Sequence, residues 1–571
     1  MNQIVVLKFG SSVLRSSADL PVAVDEIYRH VRAGQRVVAV VSAYAGVTDA
    51  LIERAHSVGG KADPHAYASL VGSGEIESAS MLTLSLAAHG VPARLLPPEQ
   101  FTLRAHGDPL DAEPHDFDAE VLREVLAEVS AVVVPGFIAH DERNRTVLLG
   151  RGGSDFTALF LAARLGAQCT LVKDVDGLYE RDPATPGPAP RRFTQVTWDE
   201  ALRVAGRLVQ PKTIRFAHLH RQSFLVSCPA SPHATLVGPG PSLLEAATPA
   251  KPLRVVLLGL GTVGRGVYDR LRAQPERFEI LRAVVRHPER HAANGIPASL
   301  LSTNPWDAIN EDADLVVEAI GGEYPAAEVL LAALLAGRRV VTANKAALAP
   351  HWDSFAPFAG GHDPQLRLSA AAGGAVPVLE ALARESSVRR ITGLRGVLNG
   401  TCNYVLDRLA AGSTYAEALA EAQSLGFAEP DPSADVGGLD AEHKLRLCAQ
   451  AAFGQAPAQV SRRGIDCLDE LPAGAPGEVL RLVAELRLER GVPVACIAPR
   501  WLPPDAFLAG ARGEDNRVEI EFDDGSTLRL AGKGAGRGPT TASVLGDLWE
   551  HARAVERPVS PRCRTPRAAA A

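Results

Sequence analysis

The stretch Leu253-Arg-Val-Val-Leu-Leu-Gly-Leu-Gly-Thr-Val-Gly264 decides how the second half of this chain folds. Its apolar beginning predicts a buried strand, and its glycine spacing predicts a tight turn that opens a helix. A lone Gly-x-Gly-x-x-Gly is weak evidence, but a further strand pattern follows at residues 280–285, where a βαβ unit requires one. We therefore predict a doubly wound, dinucleotide-binding sheet. Its expected cofactor contacts are Gly259, Gly261, Thr262, Val263 and Gly264.

The end of the second strand pattern indicates which dinucleotide is bound. The acidic residue that would bind a ribose 2′-hydroxyl is missing there, and Arg286 and Arg290 are present instead. Cations at this position favour the 2′-phosphate of NADP, with Arg286 as its ligand, while a plain surface arginine stays an alternative for Arg290. Asn344 and Lys345 follow another strand pattern, and functional residues concentrate at the carboxyl ends of parallel strands.

A second informative stretch is Leu425-Gly-Phe-Ala-Glu-Pro-Asp-Pro-Ser-Ala-Asp-Val-Gly-Gly-Leu-Asp-Ala-Glu-His-Lys444. It begins as an acid-rich loop and becomes a helix from about Leu439, which puts Asp440 and Lys444 on one helical face. Alone, such a pair is usually a solvated ion pair of little energetic value. Its position after a rigid acidic loop, downstream of a dinucleotide-binding signature, favours a catalytic interpretation.

Composition excludes several classes of protein. The chain has 571 residues, which predicts more than one domain, and its 46% hydrophobic and 22% charged residues are typical of globular proteins. A net charge of −7 gives no reason to expect nucleic acid or a membrane as a partner. The seven cysteines are scattered without a CxxC pair, which argues against zinc or a disulfide framework and fits a reducing cytoplasm. The N-terminus reads as a strand, and no apolar run is long enough to span a bilayer.

Over roughly residues 252–550 the chain resembles homoserine dehydrogenases. The matching segments, in order, are residues 259–264, 314–322, 339–345, 369–377, 396–404, 425–444 and 532–543. The resemblance implies a Rossmann NAD(P)-binding domain over 252–378, completed by about 531–555, and an α+β substrate domain over 379–530. It also implies NADPH-dependent reduction of L-aspartate 4-semialdehyde to L-homoserine, in threonine and methionine biosynthesis, with NADH as an alternative cofactor.

The same resemblance implies roles for individual residues. Lys444 is the expected general acid, Asp440 is expected to orient it, and Lys345 is a second candidate acid. Four residues are expected to contact the substrate or line its site: Glu429, Asp435, Thr401 and Asn399. Besides the glycine turn, the cofactor is expected to contact Arg286, Asn344 and Lys345.

The segment 369–377 departs from the family pattern. In homoserine dehydrogenases it usually begins with a glutamate that helps to bind a monovalent cation, but here the position is Ser369. The other ligands in the family are backbone carbonyls, which correspond to Ala372, Gly374 and Val376. The resemblance therefore implies a cation site that lacks its acidic side chain.

The first 240 residues alternate strand and helix patterns, which predicts a parallel α/β sheet with sites at the ends of its strands. Residues that could bind a ligand or take part in catalysis lie in five turns, at 8–13, 42–49, 72–75, 149–158 and 171–183. Backbone N–H groups and cations at such turns suit phosphates. The first turn, Lys8-Phe-Gly-Ser-Ser-Val13, is not a Walker A loop, because its spacing is wrong.

In this order the turns resemble the amino-acid kinase family, and most closely its aspartate kinases, over roughly residues 1–240. The resemblance implies phosphoryl transfer from ATP, with Mg²⁺, to L-aspartate. The residues that match the family motifs are Lys8 (ATP phosphates), Glu75 and Arg151 (amino-acid substrate), Asp155 (phosphoryl-transfer site), and Lys173, Asp174 and Tyr179 (nucleotide segment). The first turn is one residue shorter than in most aspartate kinases. A different kinase substrate, such as glutamate, or a non-catalytic binding module is therefore the alternative.

The remaining segments complete the expected organisation. Residues 239–252 predict a linker and residues 556–571 a disordered tail. No stretch of about 150 residues is left between the two halves for a pair of regulatory domains, so we expect no response to threonine through a dedicated domain. We expect an amino-acid kinase domain fused to a homoserine dehydrogenase, acting on small molecules as a cytoplasmic homo-oligomer, either a dimer or a tetramer.

Overall fold

The computed structural model describes residues 3–206, 208–245, 251–361, 363–425, 427–428, 431–466, 468 and 474–556. Its strands form one nine-stranded sheet, two six-stranded sheets and a small four-stranded sheet. This arrangement confirms the predicted α/β class with an α+β third part. Within the described residues, no helix has both the length and the apolar character that crossing a bilayer requires.

The described residues of the first unit, 3–206 and 208–245, form thirteen strands and eight α-helices. The strands are β1 (Ile4–Phe9), β2 (Arg36–Val41), β3 (Ala93–Leu95), β4 (Arg104–Asp108), β5 (Asp111–Asp116), β6 (Ala131–Pro135), β7 (Ile138–His140), β8 (Thr146–Leu148), β9 (Gln168–Val172), β10 (Arg192–Thr197), β11 (Phe224–Ser227), β12 (Thr235–Gly238) and β13 (Leu243–Glu245). The helices are α1 (Leu20–Arg32), α2 (Val47–Ser57), α3 (Pro64–Val71), α4 (Ser73–Ala88), α5 (Ala119–Glu128), α6 (Gly153–Leu165), α7 (Trp198–Val204) and α8 (Pro211–Leu219).

The central strands of the first unit are nearly continuous apolar runs, as expected for parallel strands covered on both faces. The sheet order is β13-β10-β12-β11-β9-β1-β2-β6-β3, and β1 pairs in parallel with both β2 and β9. The carboxyl ends of these three strands therefore lie side by side. This pairing brings Lys8, Ser42 and Lys173 to one edge of the sheet.

The predicted linker over 239–252 is partly wrong. Residues Leu243–Glu245 form the edge strand β13, antiparallel to β10, and the carboxylate of Glu245 accepts a hydrogen bond from Arg192 at 2.8 Å. The sequence pattern does not reveal this strand, because its three residues are exposed and its pairing depends on the backbone of β10. Residues 246–250, and the predicted tail beyond 556, lie outside the described residues.

The second unit is a six-stranded parallel sheet with the order β16-β15-β14-β17-β18-β19, the doubly wound order of dinucleotide-binding folds. Its strands are β14 (Leu253–Leu258), β15 (Phe278–Val284), β16 (Leu301–Ser302), β17 (Leu315–Glu318), β18 (Arg339–Thr342) and β19 (Leu366–Arg367). Its helices are α9 (Thr262–Arg272), α10 (Pro288–Ala293), α11 (Asp307–Asn310), α12 (Ala326–Leu335), α13 (Lys345–Leu348) and α14 (Trp352–Ala359).

The third unit packs helices against a second six-stranded sheet, in which all pairs except β21–β23 are antiparallel. Its strands are β20 (Ile391–Val397), β21 (Gln459–Arg462), β22 (Val479–Glu489), β23 (Val492–Leu502), β24 (Asp515–Phe522) and β25 (Thr527–Lys533). Its helices are α15 (Ser369–Gly373), α16 (Val378–Ser386), α17 (Gly400–Ala410), α18 (Tyr415–Ser424), α19 (Ser433–Val436) and α20 (Leu439–Phe453). The last helix, α21 (Arg537–Glu556), returns to the second unit, where Leu545 and Leu548 join the apolar cluster of Val255 and Leu271.

Two glycines of the opening stretch have a structural reason to be glycine. Gly259 has a φ of +95°, and a Cβ there would lie 2.6 Å from the carbonyl oxygen of Ala319. A Cβ on Gly264 would lie 2.0 Å from the carbonyl oxygen of Gly259, so α9 approaches the end of β14 too closely for a side chain. Gly261 differs from both, because a Cβ there would meet nothing within 4 Å. Its open side is therefore free for a ligand.

We predict that Gly264→Ala destabilises the chain and that Gly261→Ala does not. The added methyl at 264 overlaps backbone, which cannot move aside cheaply, so the cost should be about 1–3 kcal/mol, as for other overpacking substitutions. At 261 the φ of −68° suits alanine, and the change should stay within about 0.5 kcal/mol. Thermal unfolding of the two full-length variants measures the difference. Equal unfolding midpoints would contradict the close packing of α9 on β14.

Candidate active sites

A cavity of about 490 Å³ lies between the second and third units. The second unit contributes the start of α9 and the ends of β17 and β18, and the third unit contributes the residues before α17, together with α19 and α20. Nine of the sequence-predicted residues line it: Thr262, Val263, Asn344, Lys345, Asn399, Thr401, Asp435, Asp440 and Lys444. Parts of the chain that are distant in sequence therefore meet at one site.

The carboxylate of Asp440 lies between two lysines. Its Oδ1 is 3.0 Å from Nζ of Lys345, and its Oδ2 is 2.9 Å from Nζ of Lys444. Nζ of Lys444 also donates to the carbonyl oxygen of Leu398 at 2.5 Å. Asp440 and Lys444 are both buried, whereas about a third of the Lys345 side chain is exposed.

The charges of the neighbouring lysines determine the ionisation of Asp440. Burial alone would raise the pKa of Asp440, but the positive charges of Lys345 and Lys444 outweigh it and hold the pKa well below its ordinary value. Asp440 is therefore ionised at neutral pH. Its ion pairs hold two ammonium groups at the cavity, where positive charge suits an oxygen that becomes negative during a reaction.

The neighbouring polar side chains form one hydrogen-bonded group around Asp435. Nδ2 of Asn399 donates to Asp435 at 2.7 Å and to Asp440 at 3.0 Å. The hydroxyl of Thr401, which donates to the carbonyl oxygen of Phe427 at 2.6 Å, lies 3.3 Å from Asp435. Burial, and then the charge of Asp440, raise the pKa of Asp435. Asn399 also caps α17, since its side chain accepts the N–H of Cys402 at 2.9 Å. The same residues thus fix the start of a helix and a wall of the cavity.

Sequence reasoning missed Glu318, at the end of β17. Its side chain is fully buried, accepts the N–H groups of Ile320 and Gly321 at 2.8 and 3.1 Å, and contacts the Thr342 hydroxyl and, at 3.3 Å, the Asn344 amide. It therefore joins the turns after β17 and β18. A glutamate at a strand end was its only sequence signal, and nothing in the pattern distinguished it from a surface residue.

Three further lining features also lie outside the predicted set: Phe427, Glu514 and the small residues 534–536. Glu514 forms an ion pair with Lys533 at 3.2 Å, and its carbonyl accepts the N–H of Gly534 at 2.8 Å. The small-residue run before α21 could have indicated this close approach, because only small residues let backbone line a cavity so directly.

The cofactor end of the cavity fits a dinucleotide. Gly261 leaves open space at the start of α9, whose N-terminus favours negative groups such as a pyrophosphate. Arg286 follows β15, the strand beside β14, and is exposed without a hydrogen bond or ion pair to another described residue. It is close to the same sheet edge but does not line the cavity itself. Glu429, expected to bind substrate, lies outside the described residues.

Two residues of the segment expected around a monovalent cation, Ser369 and Val376, make other contacts. The hydroxyl of Ser369 donates to Asp547 at 2.7 Å and accepts a hydrogen bond from Arg32 at 3.1 Å. The carbonyl of Val376 accepts the N–H of Val378 at 2.8 Å. A guanidinium group therefore lies beside the position of the missing acid, where its charge disfavours an added cation. Cation binding by the carbonyls of Ala372, Gly374 and Val376 stays a prediction.

The first unit has two adjoining cavities, of about 610 and 550 Å³, that share Lys8, Ser11 and Ser42. The larger is lined by the predicted nucleotide residues Lys173, Asp174 and Tyr179. The smaller is lined by the predicted amino-acid and transfer residues Glu75, Arg151 and Asp155. Two cavities that meet at a lysine have the arrangement that transfer between two substrates requires.

The shared boundary is again a carboxylate between two lysines. Oδ1 of Asp155 is 2.7 Å from Nζ of Lys8, and Oδ2 is 2.8 Å from Nζ of Lys173. All three side chains are buried. Burial works against the ionised form of Asp155, but the two lysines hold its pKa below the ordinary value. Asp155 lies in the first turn of α6, after Gly152, where it lines the smaller cavity and contacts Lys173 of the larger one.

Glu75 has the opposite electrostatic character. It is buried in the first turn of α4, and burial raises its pKa to about 7, against hydrogen bonds from the backbone and the charge of Lys8. One of its oxygens has no hydrogen-bond partner among the described residues. A buried carboxylate with an unused oxygen in a cavity suits a cationic ligand group such as an α-ammonium.

Comparison with known protein families assigns all three units. Residues 377–549 match the model for homoserine dehydrogenase, and residues 259–357 match the NAD-binding domain of homoserine dehydrogenase. Residues 3–222 match the amino acid kinase family. The second unit therefore binds a nicotinamide cofactor, and an amino acid kinase domain precedes the dehydrogenase part, as the sequence predicts.

Individual relatives agree with these matches. The homoserine dehydrogenase of Pseudomonas aeruginosa is 36% identical over 323 residues, which cover 53% of this chain and 73% of that protein. That of Corynebacterium glutamicum is 35% identical over 338 residues, which cover 55% of this chain and 75% of that protein. A solved homoserine dehydrogenase from Thiobacillus denitrificans is 34% identical, with a TM-score of 0.47, over 53% of this chain and 74% of that one. On the strength of the sequence matches, this chain belongs to the homoserine dehydrogenase family and carries an amino acid kinase domain in front of the dehydrogenase.

Proposed function

We propose that the cavity between the second and third units reduces L-aspartate 4-semialdehyde to L-homoserine with NADPH. The observation that carries this proposal is the buried Asp440 between Lys345 and Lys444, at the point where the cofactor side and the substrate side of the cavity meet. The site combines an acid, a positive charge and a dinucleotide surface. These are the elements that reduction of an aldehyde to an alcohol needs.

Lys444 is placed to donate the proton. An ammonium group has three donors, and those of Lys444 that contact Asp440 and the carbonyl of Leu398 account for two. No described residue accepts the third, which can donate to a substrate oxygen in the cavity. Lys345, beside Asp440, supplies a second positive charge to the cavity as that oxygen gains charge.

The opposite side of the cavity holds the cofactor and the polar part of the substrate. When bound, the nicotinamide supplies the hydride. Asn399, Thr401 and Asp435 form the hydrogen-bonded wall toward the substrate. Glu429 keeps its proposed role as ligand of the substrate ammonium, by family resemblance alone. Arg286 is the proposed ligand of the 2′-phosphate, which makes NADPH the preferred cofactor over NADH.

For the first unit we propose an ATP- and Mg²⁺-dependent aspartate kinase. Its support is the meeting of two cavities at Lys8, Asp155 and Lys173. Two lysines at that boundary neutralise charge on a transferring phosphoryl group, and Glu75 offers a carboxylate to the substrate ammonium. A kinase of another amino acid, or a unit that binds without catalysis, is the alternative. Assembly into a homo-oligomer stays a prediction.

Replacing the proposed acid should slow the chemistry and spare the cofactor. Lys444→Ala removes the proton donor, so kcat for semialdehyde reduction should fall by roughly two to four powers of ten, the usual contribution of a general acid. NADPH affinity, measured by the fluorescence of the bound nicotinamide, should change little. Single-turnover rates with saturating substrate isolate the chemical step.

The same helix offers a matched control for that substitution. Arg446 also forms an i,i+4 ion pair, with Glu442 at 2.9 Å, but it does not line the cavity. Arg446→Ala should leave kcat nearly unchanged. If Lys444→Ala turned over at the rate of this control, Lys444 would not be the acid, and Lys345 would be tested next.

Cofactor preference should depend on Arg286. Arg286→Asp replaces a cation with an anion beside the proposed 2′-phosphate, so the ratio of kcat/KM for NADPH over NADH should fall sharply or invert. Arg290→Asp makes the same change in charge four residues further on and serves as the comparison. A shift of preference in Arg290→Asp alone would assign the 2′-phosphate to that residue instead.

The kinase should show a pH dependence that originates from Glu75. Because burial raises its pKa to about 7, Glu75 is largely neutral below that pH and holds an ammonium group poorly. The kcat/KM for aspartate should therefore rise with pH through about 7, since that parameter reports the free enzyme. Trapping the acyl phosphate with hydroxylamine over a range of pH measures it.

Two variants separate Glu75 from other ionising groups. Glu75→Gln should lower kcat/KM and remove the rise near pH 7, while Glu77→Gln, an exposed carboxylate of the same helix, should preserve both. A panel of amino acids in the same assay tests the substrate. Turnover of glutamate but not aspartate would replace the proposed substrate, and no turnover with any amino acid would favour a binding unit.

A further inference from the structure

One arginine of the kinase domain is inserted into the dehydrogenase. Arg32, in the last turn of α1, is 3% exposed. Its Nη2 lies 2.6 Å from Asp547, 3.1 Å from Glu380 and 3.3 Å from Glu550, and it donates to the hydroxyl of Ser369 at 3.1 Å. Every hydrogen bond and ion pair of this side chain within the described residues is thus made with the other half of the chain.

The carboxylates around Arg32 have little else to neutralise them. Asp547 is buried, and neither carboxylate oxygen of Glu380 has a hydrogen bond of ordinary geometry among the described residues. Glu550 also contacts Arg367, so two guanidinium groups face three carboxylates. Removing Arg32 would leave Asp547 and Glu380 with no ion-pair partner among the described residues. A buried charge in that state strongly destabilises its surroundings.

These carboxylates hold one wall of the dehydrogenase cavity. Oδ2 of Asp547 accepts the backbone N–H of Ser369 at 2.9 Å, and Oδ1 accepts its hydroxyl at 2.7 Å. Ser369 begins α15, and the next two residues, Ala370 and Ala371, line the cavity. Contacts therefore run without interruption from Arg32, through Asp547 and Ser369, to the site of reduction.

Other contacts hold the same face of α1 against the dehydrogenase. The buried Asp25 forms an ion pair with Arg270 of α9 at 3.0 Å. After the helix, Gly34 packs so closely against the guanidinium of Arg384 that a Cβ would lie 2.6 Å from its Cζ. Arg32 is therefore presented by a helix that is fixed on both sides of it, not by a mobile side chain on a free surface.

We propose that Arg32 is a positioning residue for the dehydrogenase. The kinase domain supplies the positive charge that holds Asp547 and Glu380, and through them the Ser369–Gly373 wall of the cavity. The inference rests on the dehydrogenase function proposed for that cavity. It gives the first unit a role in the second activity that does not depend on phosphoryl transfer.

The test compares full-length chains that carry Arg32→Ala, Arg32→Lys or Arg29→Ala. Arg29 is the matched control, since it lies on the same helix but pairs with Glu26 inside its own domain. For each chain, kcat and KM for semialdehyde and NADPH, NADPH affinity by fluorescence, kinase turnover and the thermal unfolding midpoint are measured. Each measurement is repeated in low-millimolar guanidinium chloride, which tests whether a free guanidinium ion replaces the missing group.

In Arg32→Ala we expect dehydrogenase kcat to fall by about tenfold or more, with partial recovery in guanidinium and kinase turnover within about twofold of the unmodified chain. Arg32→Lys should be impaired less and should not respond to guanidinium, because a lysine keeps one charge but cannot contact several partners at once. Arg29→Ala should match the unmodified chain in both activities. A purely structural role would lower the unfolding midpoint without specific recovery in guanidinium.

Dehydrogenase kcat in Arg32→Ala within about twofold of the control would overturn the proposal, as would a loss that guanidinium does not reverse in a folded chain. If Arg32→Ala does not fold, Arg32→Lys tests the proposal instead, and an unchanged kcat in Arg32→Lys counts against it. If the unmodified chain does not reduce the semialdehyde, the proposed function fails separately. In that case NADPH affinity tests the positioning role of Arg32. The affinity should fall in Arg32→Ala and recover in guanidinium, and an unchanged affinity refutes the role.

Discussion

The dehydrogenase cavity depends on one buried carboxylate. Asp440 belongs to the third unit, and it contacts Lys444 on its own helix and Lys345 of the second unit. Burial disfavours its charge, and the two lysines restore it. Since a buried charge must stay paired, the same interaction that prepares the acid also holds the cofactor side of the cavity against the substrate side. The ion pairs of Asp440 therefore support both the chemistry of the site and the packing of the second unit against the third.

The kinase domain solves a similar problem in a similar way. Asp155 also lies between two lysines: Lys8 lies one residue before the end of strand β1, and Lys173 directly follows β9. In both sites one carboxylate pairs with two lysines, which bring positive charge to a cavity. The difference lies in what that charge meets. In the proposed kinase reaction it faces a phosphate that is already charged, and in the proposed reduction it faces an oxygen that becomes charged only as the reaction proceeds.

The sequence alone predicts features that depend on local pattern. The apolar strand at residues 253–258, the glycine turn after it and the i,i+4 pair of Asp440 and Lys444 all follow from periodicity and spacing. Features that depend on contacts between residues distant in sequence cannot be predicted in this way. Nothing near Lys345 indicates that it meets Asp440, because that contact is made between units.

Two further residues illustrate the same limit. Glu318 reads as an ordinary strand end, and only the folded chain reveals its contacts with the turns after β17 and β18. Arg32 reads as a cation that complements the carboxyl end of an amphipathic helix, which is where such residues are common. Its burial among carboxylates of another unit has no local sequence signal. Strand β13 escapes prediction for the same reason, since its pairing partner is more than forty residues away.

The chemistry of the two proposed reactions excludes one explanation for their presence in a single chain. With aspartate as substrate, the kinase forms an acyl phosphate, whereas the dehydrogenase consumes an aldehyde. A separate reduction that releases phosphate must lie between them, so the product of one cavity is not the substrate of the other. Direct transfer of a product from one cavity to the other therefore does not explain the fusion. The buried ion pairs of Arg32 and Asp25 across the junction give a physical reason for it, because each half neutralises charges that the other half buries.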